Sequence, residues 1–225
     1  QRDGRGGQAS DTLVVNAEIP NAVVAVSPEP PLAGVADETF PEPLVARVET
    51  ACGVPFAGIP VQWSAFNGFL MAATGVSDDA GRVTATVRLG CTAGEDAEFR
   101  AAVDGLAWDA HFGITVEPNA PAALILEAGQ DVPIADADGN PVPMAITARL
   151  LDRCGNAVVD ADVTFDLHVQ PSPPTCLAAP CSEGGVGDLT GLQTVGGVWT
   201  GNAFSTVIGE VPFWADNLSD PSIVT

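Results

Sequence analysis

The feature that most constrains this chain is that it repeats itself. The segment NAVVAVSPEPPLAGVADETFPEPLVARVETACGVPFAGIPVQWSA, from Asn21, lies on PAALILEAGQDVPIADADGNPVPMAITARLLDRCGNAVVDADVTFDL, from Pro121, an offset of 100 residues. Further on, GRVTATVRLG pairs with GVWTGNAFSTVIG, and AEFRAAVDG with VPFWADNLS. Two copies of one unit in 225 residues mean two domains of about 100 residues, each with its own core. The boundaries predicted are an extension over 1–19, a first domain over 20–117 and a second over 121–225, joined by a short Pro-containing linker.

Inside each copy, apolar and polar residues alternate in short runs, with turn residues every 8 to 12 positions or so, the pattern of half-buried antiparallel strands. No stretch keeps a helical period. Seven strands, A to G, are predicted in the first copy near 22–27, 44–50, 60–66, 69–77, 82–90, 95–103 and 108–116, a sandwich. In the third, Val61, Trp63 and Ala65 face one side, and Gln62, Ser64 and Phe66 the other.

The charge pattern excludes several functions. Against 29 acidic residues stand 8 basic ones, every one an arginine. A chain without lysine has no P-loop lysine, no Schiff base and no lysine isopeptide bond. Its net charge of −21 repels a phosphate backbone, so nucleic acid is not a partner. Runs such as Leu13 to Val15, Ala22 to Val26 and Ala122 to Leu126 fall far short of the roughly 20 apolar residues that span a bilayer, so no membrane insertion is expected. Gln1 fits either the processed end of a secreted chain whose signal peptide has gone or an arbitrary boundary.

Five cysteines sit in turn-like contexts (ACGVP, LGCTAGE, DRCGN, PPTCLAAPCSE), which points to an oxidising compartment. Cys176 and Cys181, with four residues between them, suit a local disulfide; no second pair or histidine follows at zinc-ligand spacing.

The turns themselves carry a resemblance. CGVPFAGIPVQW and DRCGNAVVDADVTF precede the third strand of each copy, SDDAGRVTATV precedes the fifth, and CTAGEDAEFRA leads into the sixth. In these motifs the chain resembles bacterial immunoglobulin-like repeats of the invasin and intimin type, across about two thirds of its length, with a closer match in the first copy than in the second. The resemblance implies an all-β fold of two tandem immunoglobulin-like β-sandwich domains. Turn chemistry specifies a fold and not an activity.

The ends of the two copies are out of register. DTLVVNAEIPNAVVAV resembles HFGITVEPNAPAALIL, so residues 12–19 read as an orphan last strand, a donor-type strand. Its alternate residues Leu13, Val15, Ala17 and Ile19 form the face expected to enter another core. After VPFWADNL the second copy continues only with SDPSIVT, and so lacks most of its own last strand. Two readings remain open. In one, the chain is a subunit of an extracellular filament that joins copies of itself head to tail by donor-strand complementation, an arrangement that looks like that of pili. In the other, it is a fragment of a longer array, a surface adhesin whose insertion over 171–197 presents a loop to a host or cell-surface ligand.

No residues group into a catalytic constellation, and no cofactor is expected. His111 and His168 stand in alternating strands with no nucleophile beside them; carboxylate pairs such as Asp78 with Asp79, Asp160 with Asp162, and Glu95 with Asp96 are ordinary on so acidic a chain. Asp136, Asp138 and Asn140 copy the start of a calcium loop, but the twelfth position is Thr147 where a bidentate Glu belongs, which favours a turn. GGVGDLTG, 184–191, lacks the strand-then-helix context of a dinucleotide site and reads as the flexible half of the insertion. Asn217 heads the one glycosylation sequon, expected to be unmodified in a bacterial protein.

Strand direction constrains the disulfides. With alternating strands, Cys52 after the second strand and Cys91 after the fifth lie at opposite ends of the first sandwich, beyond the roughly 4.4 to 6.8 Å that a bridge spans between Cα atoms. Cys91 at the exit of the first domain faces Cys154 at the entrance of the second. Bridges between Cys91 and Cys154 and between Cys176 and Cys181 are therefore expected, leaving Cys52 for a neighbouring molecule's Cys176 or Cys181; the alternative is that some or all of these thiols are free.

Overall fold

The computed structural model describes residues 19–128, 144–169, 175–176, 188–205, 213–216 and 218–223. Among them are no helices, and the fold is all-β. Two buried clusters, one per sequence repeat, form separate cores.

The first sandwich runs β1 (Ala22–Ser27), β2 (Leu32–Val35), β3 (Leu44–Glu49), β4 (Gln62–Phe66), β5 (Gly68–Ala73), β6 (Arg82–Leu89), β7 (Asp96–Ala102) and β8 (Ala110–Glu117). One sheet has the order β1-β3-β6-β5 and the other β2-β8-β7-β4. The alternation in the sequence becomes the two-sided burial of the strands: Val83, Ala85, Val87 and Leu89 of β6 face Ala97, Phe99 and Ala101 of β7 and Phe112, Ile114 and Val116 of β8 across the core. Each larger side chain in such a core contributes about 1.5 to 3 kcal/mol. In β4, Val61 just before the strand is buried and Trp63 stacks on Phe112, with centroids 6.0 Å apart. Ala65, expected on the same face, is exposed with Phe66; β4 is the edge strand of its sheet, and its far end leaves the core.

One strand was not expected. The prolines at 28, 30 and 31 offer no N–H and end the pairing of β1 with β3, so the sequence there reads as a bend. The structure uses that bend to carry the chain to the other sheet, where β2 pairs in parallel with β8, Leu32 opposite Ile114. The strand predicted over 69–77 is also shorter, ending at Ala73.

The second sandwich comprises β9 (Pro121–Ala128), β10 (Met144–Asp152), β11 (Thr164–Val169), β12 (Thr175–Cys176), β13 (Asp188–Gln193), β14 (Val198–Ser205) and β15 (Phe213–Asp216). Its sheets are β12-β14-β10-β9 and β13-β11-β15. Leu124, Ile146, Leu150, Phe165 and Leu167 fill its core, with Trp199 edge-on to Phe165 at 5.8 Å. The expectation that 184–191 is a flexible loop is corrected over its described part: residues 188–193 form β13, paired with β11. Leu189 and Leu192 turn toward the core, and Gly191, at a φ of 65°, donates its N–H to Asp166 Oδ1 at 2.7 Å, so the glycine serves a bulged pairing.

The two sandwiches differ at one edge. In the first, β7 lies between β4 and β8; in the second, the equivalent β15 pairs with β11 and has no strand on its other side among the described residues. Residues 218–223 instead turn beneath β11, where the Ser219 N–H donates to the Thr164 carbonyl at 2.9 Å and Ile223 enters the core.

Candidate functional site

The site is the joint between the sandwiches, and it is built on a turn that the chain makes twice. At the end of β3, Thr50 N–H donates to Val54 O, Gly53 N–H to Thr50 O and Phe56 N–H to Val48 O, each at 2.9 Å. At the end of β10, Asp152 N–H donates to Asn156 O at 2.9 Å, Gly155 N–H to Asp152 O and Val158 N–H to Leu150 O, both at 3.0 Å. Gly53 and Gly155, at φ of 75° and 84°, take the left-handed step that closes each turn. Residues 50–54 and 152–156 are thus equivalent, and Cys52 stands where Cys154 stands.

The side chain at the head of the turn differs. Thr50 Oγ1 accepts the N–H groups of Cys52 and Val54, both at 3.3 Å. Asp152, 3% exposed, accepts four hydrogen bonds: Oδ1 takes Cys154 N–H and Asn156 N–H at 2.8 Å each, and Oδ2 takes the linker's Asn119 N–H at 2.9 Å and Asn156 Nδ2–H at 2.8 Å. Burial pushes its carboxyl up, but these donors, the Asn156 side chain foremost, together hold it below the ordinary aspartate value of 3.8.

From this hub the turn reaches back into the first sandwich. Asn156 grips the loop after β6 from both ends of its amide, donating to Cys91 O at 2.8 Å and accepting from Ala93 N–H at 3.1 Å. Asn119 Nδ2 donates to Ala36 O at 3.1 Å. Arg153 lies 3.3 Å from the Asp37 carboxylate and donates to the Asp37 carbonyl at 3.0 Å, while Arg88 pairs with the same carboxylate from the other side. Cys91 and Cys154 form a disulfide, with Cα atoms 5.4 Å apart. Asp37, Cys91 and Cys154 are the one set of possible metal ligands grouped among the described residues; with the two sulfurs bonded to each other, they form a covalent clamp beside an ion pair.

The remaining residues singled out in the sequence lie elsewhere. Cys52 is exposed and carries a free thiol. Cys176 ends β12, the backbone of which pairs with Phe204. Cys181, Leu13, Val15, Ala17, Asp136, Asp138, Asn140 and Asn217 lie outside the described residues, as does most of 171–197; Ile19 is described and is 70% exposed. His111 lies 3.5 Å from Asp109, and His168 Nε2 is 2.8 Å from Asp216 Oδ1 with its ring stacked on Trp214. An open cleft of about 360 Å³ on the first sandwich is lined by Gln62, Ser64, Arg100 and Asp104 among others.

Asp37, Asn119, Asp152, Arg153 and Asn156 were not picked out from the sequence. One signal was there: DRCGN and TACGV occupy the same turn, and only the former places an acid at its head and an amide at its end.

The architecture is that of two tandem immunoglobulin-like sandwiches, clamped end to end. No protein-family model and no curated protein matches the chain. Among solved structures it is similar to the Escherichia coli adhesin FdeC, at 16% identity and a TM-score of 0.42 over 84% of this chain and 57% of that one. It is also similar to Yersinia pseudotuberculosis InvD, at 14% identity and a TM-score of 0.44 over 88% and 56%. Invasin, a bacterial integrin-binding protein, gives 17% identity and a TM-score of 0.43 over 86% and 36%. The chain spans less than two thirds of the length of each.

Proposed function

We propose that the chain is a rigid extracellular segment of a bacterial surface adhesin, two immunoglobulin-like domains that hold a binding region at a fixed distance and orientation. The observation that carries this reading is the joint: a disulfide, a buried four-acceptor aspartate and an arginine–aspartate–arginine arrangement, all spent on fixing one domain against the next. Interfaces between domains of one chain ordinarily permit relative motion; this one is tied at several points. The disulfide also suits an oxidising, extracellular location, and the turn motifs that resemble invasin and intimin repeats support the adhesin class. On this reading the insertion over 171–197 is the segment offered to a ligand on a host or another cell.

A second reading, the head-to-tail filament, is favoured by one observation: the free side of β15 among the described residues, where a donor strand from residues 12–19 of another copy would pair. Sedimentation velocity over a wide range of concentrations separates the two. The adhesin segment sediments as a monomer of 22.9 kDa throughout; the filament grows with concentration, and loses that growth when residues 1–19 are removed.

A further inference from the structure

We propose that Cys52 is the receiving half of a second interdomain disulfide, made with a cysteine in the turn equivalent to that between β6 and β7 in another immunoglobulin-like domain that docks ahead of the first. The inference rests on the joint described above being a structural clamp. Its evidence is the bond already made at the equivalent position: Cys154 occupies the same place in the same hydrogen-bonded turn and is joined to Cys91, which lies between β6 and β7 of the preceding domain. Cys52 is exposed at the opposite end of the first sandwich, with its thiol free.

The partner is not another copy of this chain at the equivalent contact. Cys91 is already committed to Cys154, and the corresponding segment of the second domain, 206–212, reads TVIGEVP, with no cysteine. The contact also differs in chemistry. Where the second domain offers Asp152, Arg153 and Asn156, the first offers Thr50, Ala51 and Val54, the last 42% exposed. The turn at Cys52 therefore lacks the arginine and the amide by which its counterpart reaches Asp37 and the loop after β6.

Bond formation removes two electrons and two protons from two thiols, and a small-molecule disulfide such as oxidised glutathione accepts them. The Cys52 thiolate attacks one glutathione sulfur and expels a glutathione thiolate; the partner's thiolate then attacks the Cys52 sulfur and expels the second.

The test is non-reducing peptide mapping of the full protein taken from the surface of the cells that make it, with thiols alkylated before disruption. The expected result is a Cys52 peptide linked to a peptide from the turn equivalent to that between β6 and β7 in another immunoglobulin-like sequence. Alkylated Cys52, or Cys52 linked to Cys176, Cys181 or a second Cys52, overturns the proposal. The Cys91–Cys154 peptide from the same digest keeps the two claims apart: its absence would refute the clamp itself, whereas its presence beside an alkylated Cys52 refutes this inference alone. A second arm needs no native partner. In a chain with residues 20–123 duplicated ahead of Val23 and refolded in glutathione buffer, the added Cys91 faces Cys52, and Cys52 should lose nearly all of its alkylation. If both stay alkylated while Cys91–Cys154 forms normally, the turn is not a receiving site.

Discussion

The turns at 50–54 and 152–156 share a backbone and a cysteine, yet they fix very different things. Thr50 satisfies two N–H groups of its own turn and reaches no further. Asp152 satisfies the same two and adds the linker at Asn119 and the amide of Asn156, which itself holds the neighbouring domain. The fold needs a hydroxyl here; the joint needs a carboxylate. What separates a loop that closes a domain from a loop that fastens two domains is three side chains on an unchanged backbone.

Breaking the bond tests this contrast most strongly. Cys154→Ser opens a loop of 63 residues in sequence separation, for which the chain-entropy account gives about 4 kcal/mol. Cys52→Ser at the equivalent position should leave the unfolding midpoint of the isolated chain unchanged. Denaturant titration followed by tryptophan fluorescence reads this out, with Trp63 and Trp108 in the first domain and Trp199 and Trp214 in the second.

Asp152→Ala comes next. It leaves the part-buried N–H groups of Cys154, Asn156 and Asn119 without their acceptor, at about 1 to 3 kcal/mol for a fully buried group left unpaired and less where water reaches it. A total loss of about 3 kcal/mol is expected, together with looser coupling between the two domains. Thr50→Ala, by contrast, should cost about 1 kcal/mol, confined to the first domain. Equal losses at the two positions would remove the distinction.

The smallest effect concerns pH. Asp152 has a folded pKa below its unfolded one, so its contribution is complete above the unfolded value, near 3.8, and is lost as the pH falls from there through the folded pKa. The protein should lose stability below about pH 4 more steeply than Asp152→Ala does. The exposed Asp220, held low by Ser222, titrates in the same direction in both proteins and cancels in the difference.

The same two turns show how far the sequence could be read. The repeat, the alternation and the turn residues located seven strands of the first sandwich, because period-two burial and glycine at a positive φ act locally. They missed β2, a four-residue strand in a proline-rich bend, since its pairing is decided by β8, some 80 residues away in the chain. They read 184–191 as a flexible loop because its glycines obscured Leu189, which with Leu192 turns toward the core from β13. Strand direction alone placed Cys91 opposite Cys154, a consequence of topology that survives errors in the strand ends. The hub at Asp152 was not legible, because an aspartate before a Cys-Gly turn looks like any turn residue until the linker and the neighbouring domain are folded around it.

Residual dipolar couplings of the weakly aligned full chain test the clamped joint most directly. The account predicts that, in the oxidised protein, one alignment tensor fits the amides of 19–128 and those of 144–169 and 188–205 together, and that Cys154→Ser combined with Asp152→Ala requires two. Two tensors of different magnitude in the unmodified, oxidised chain would contradict it.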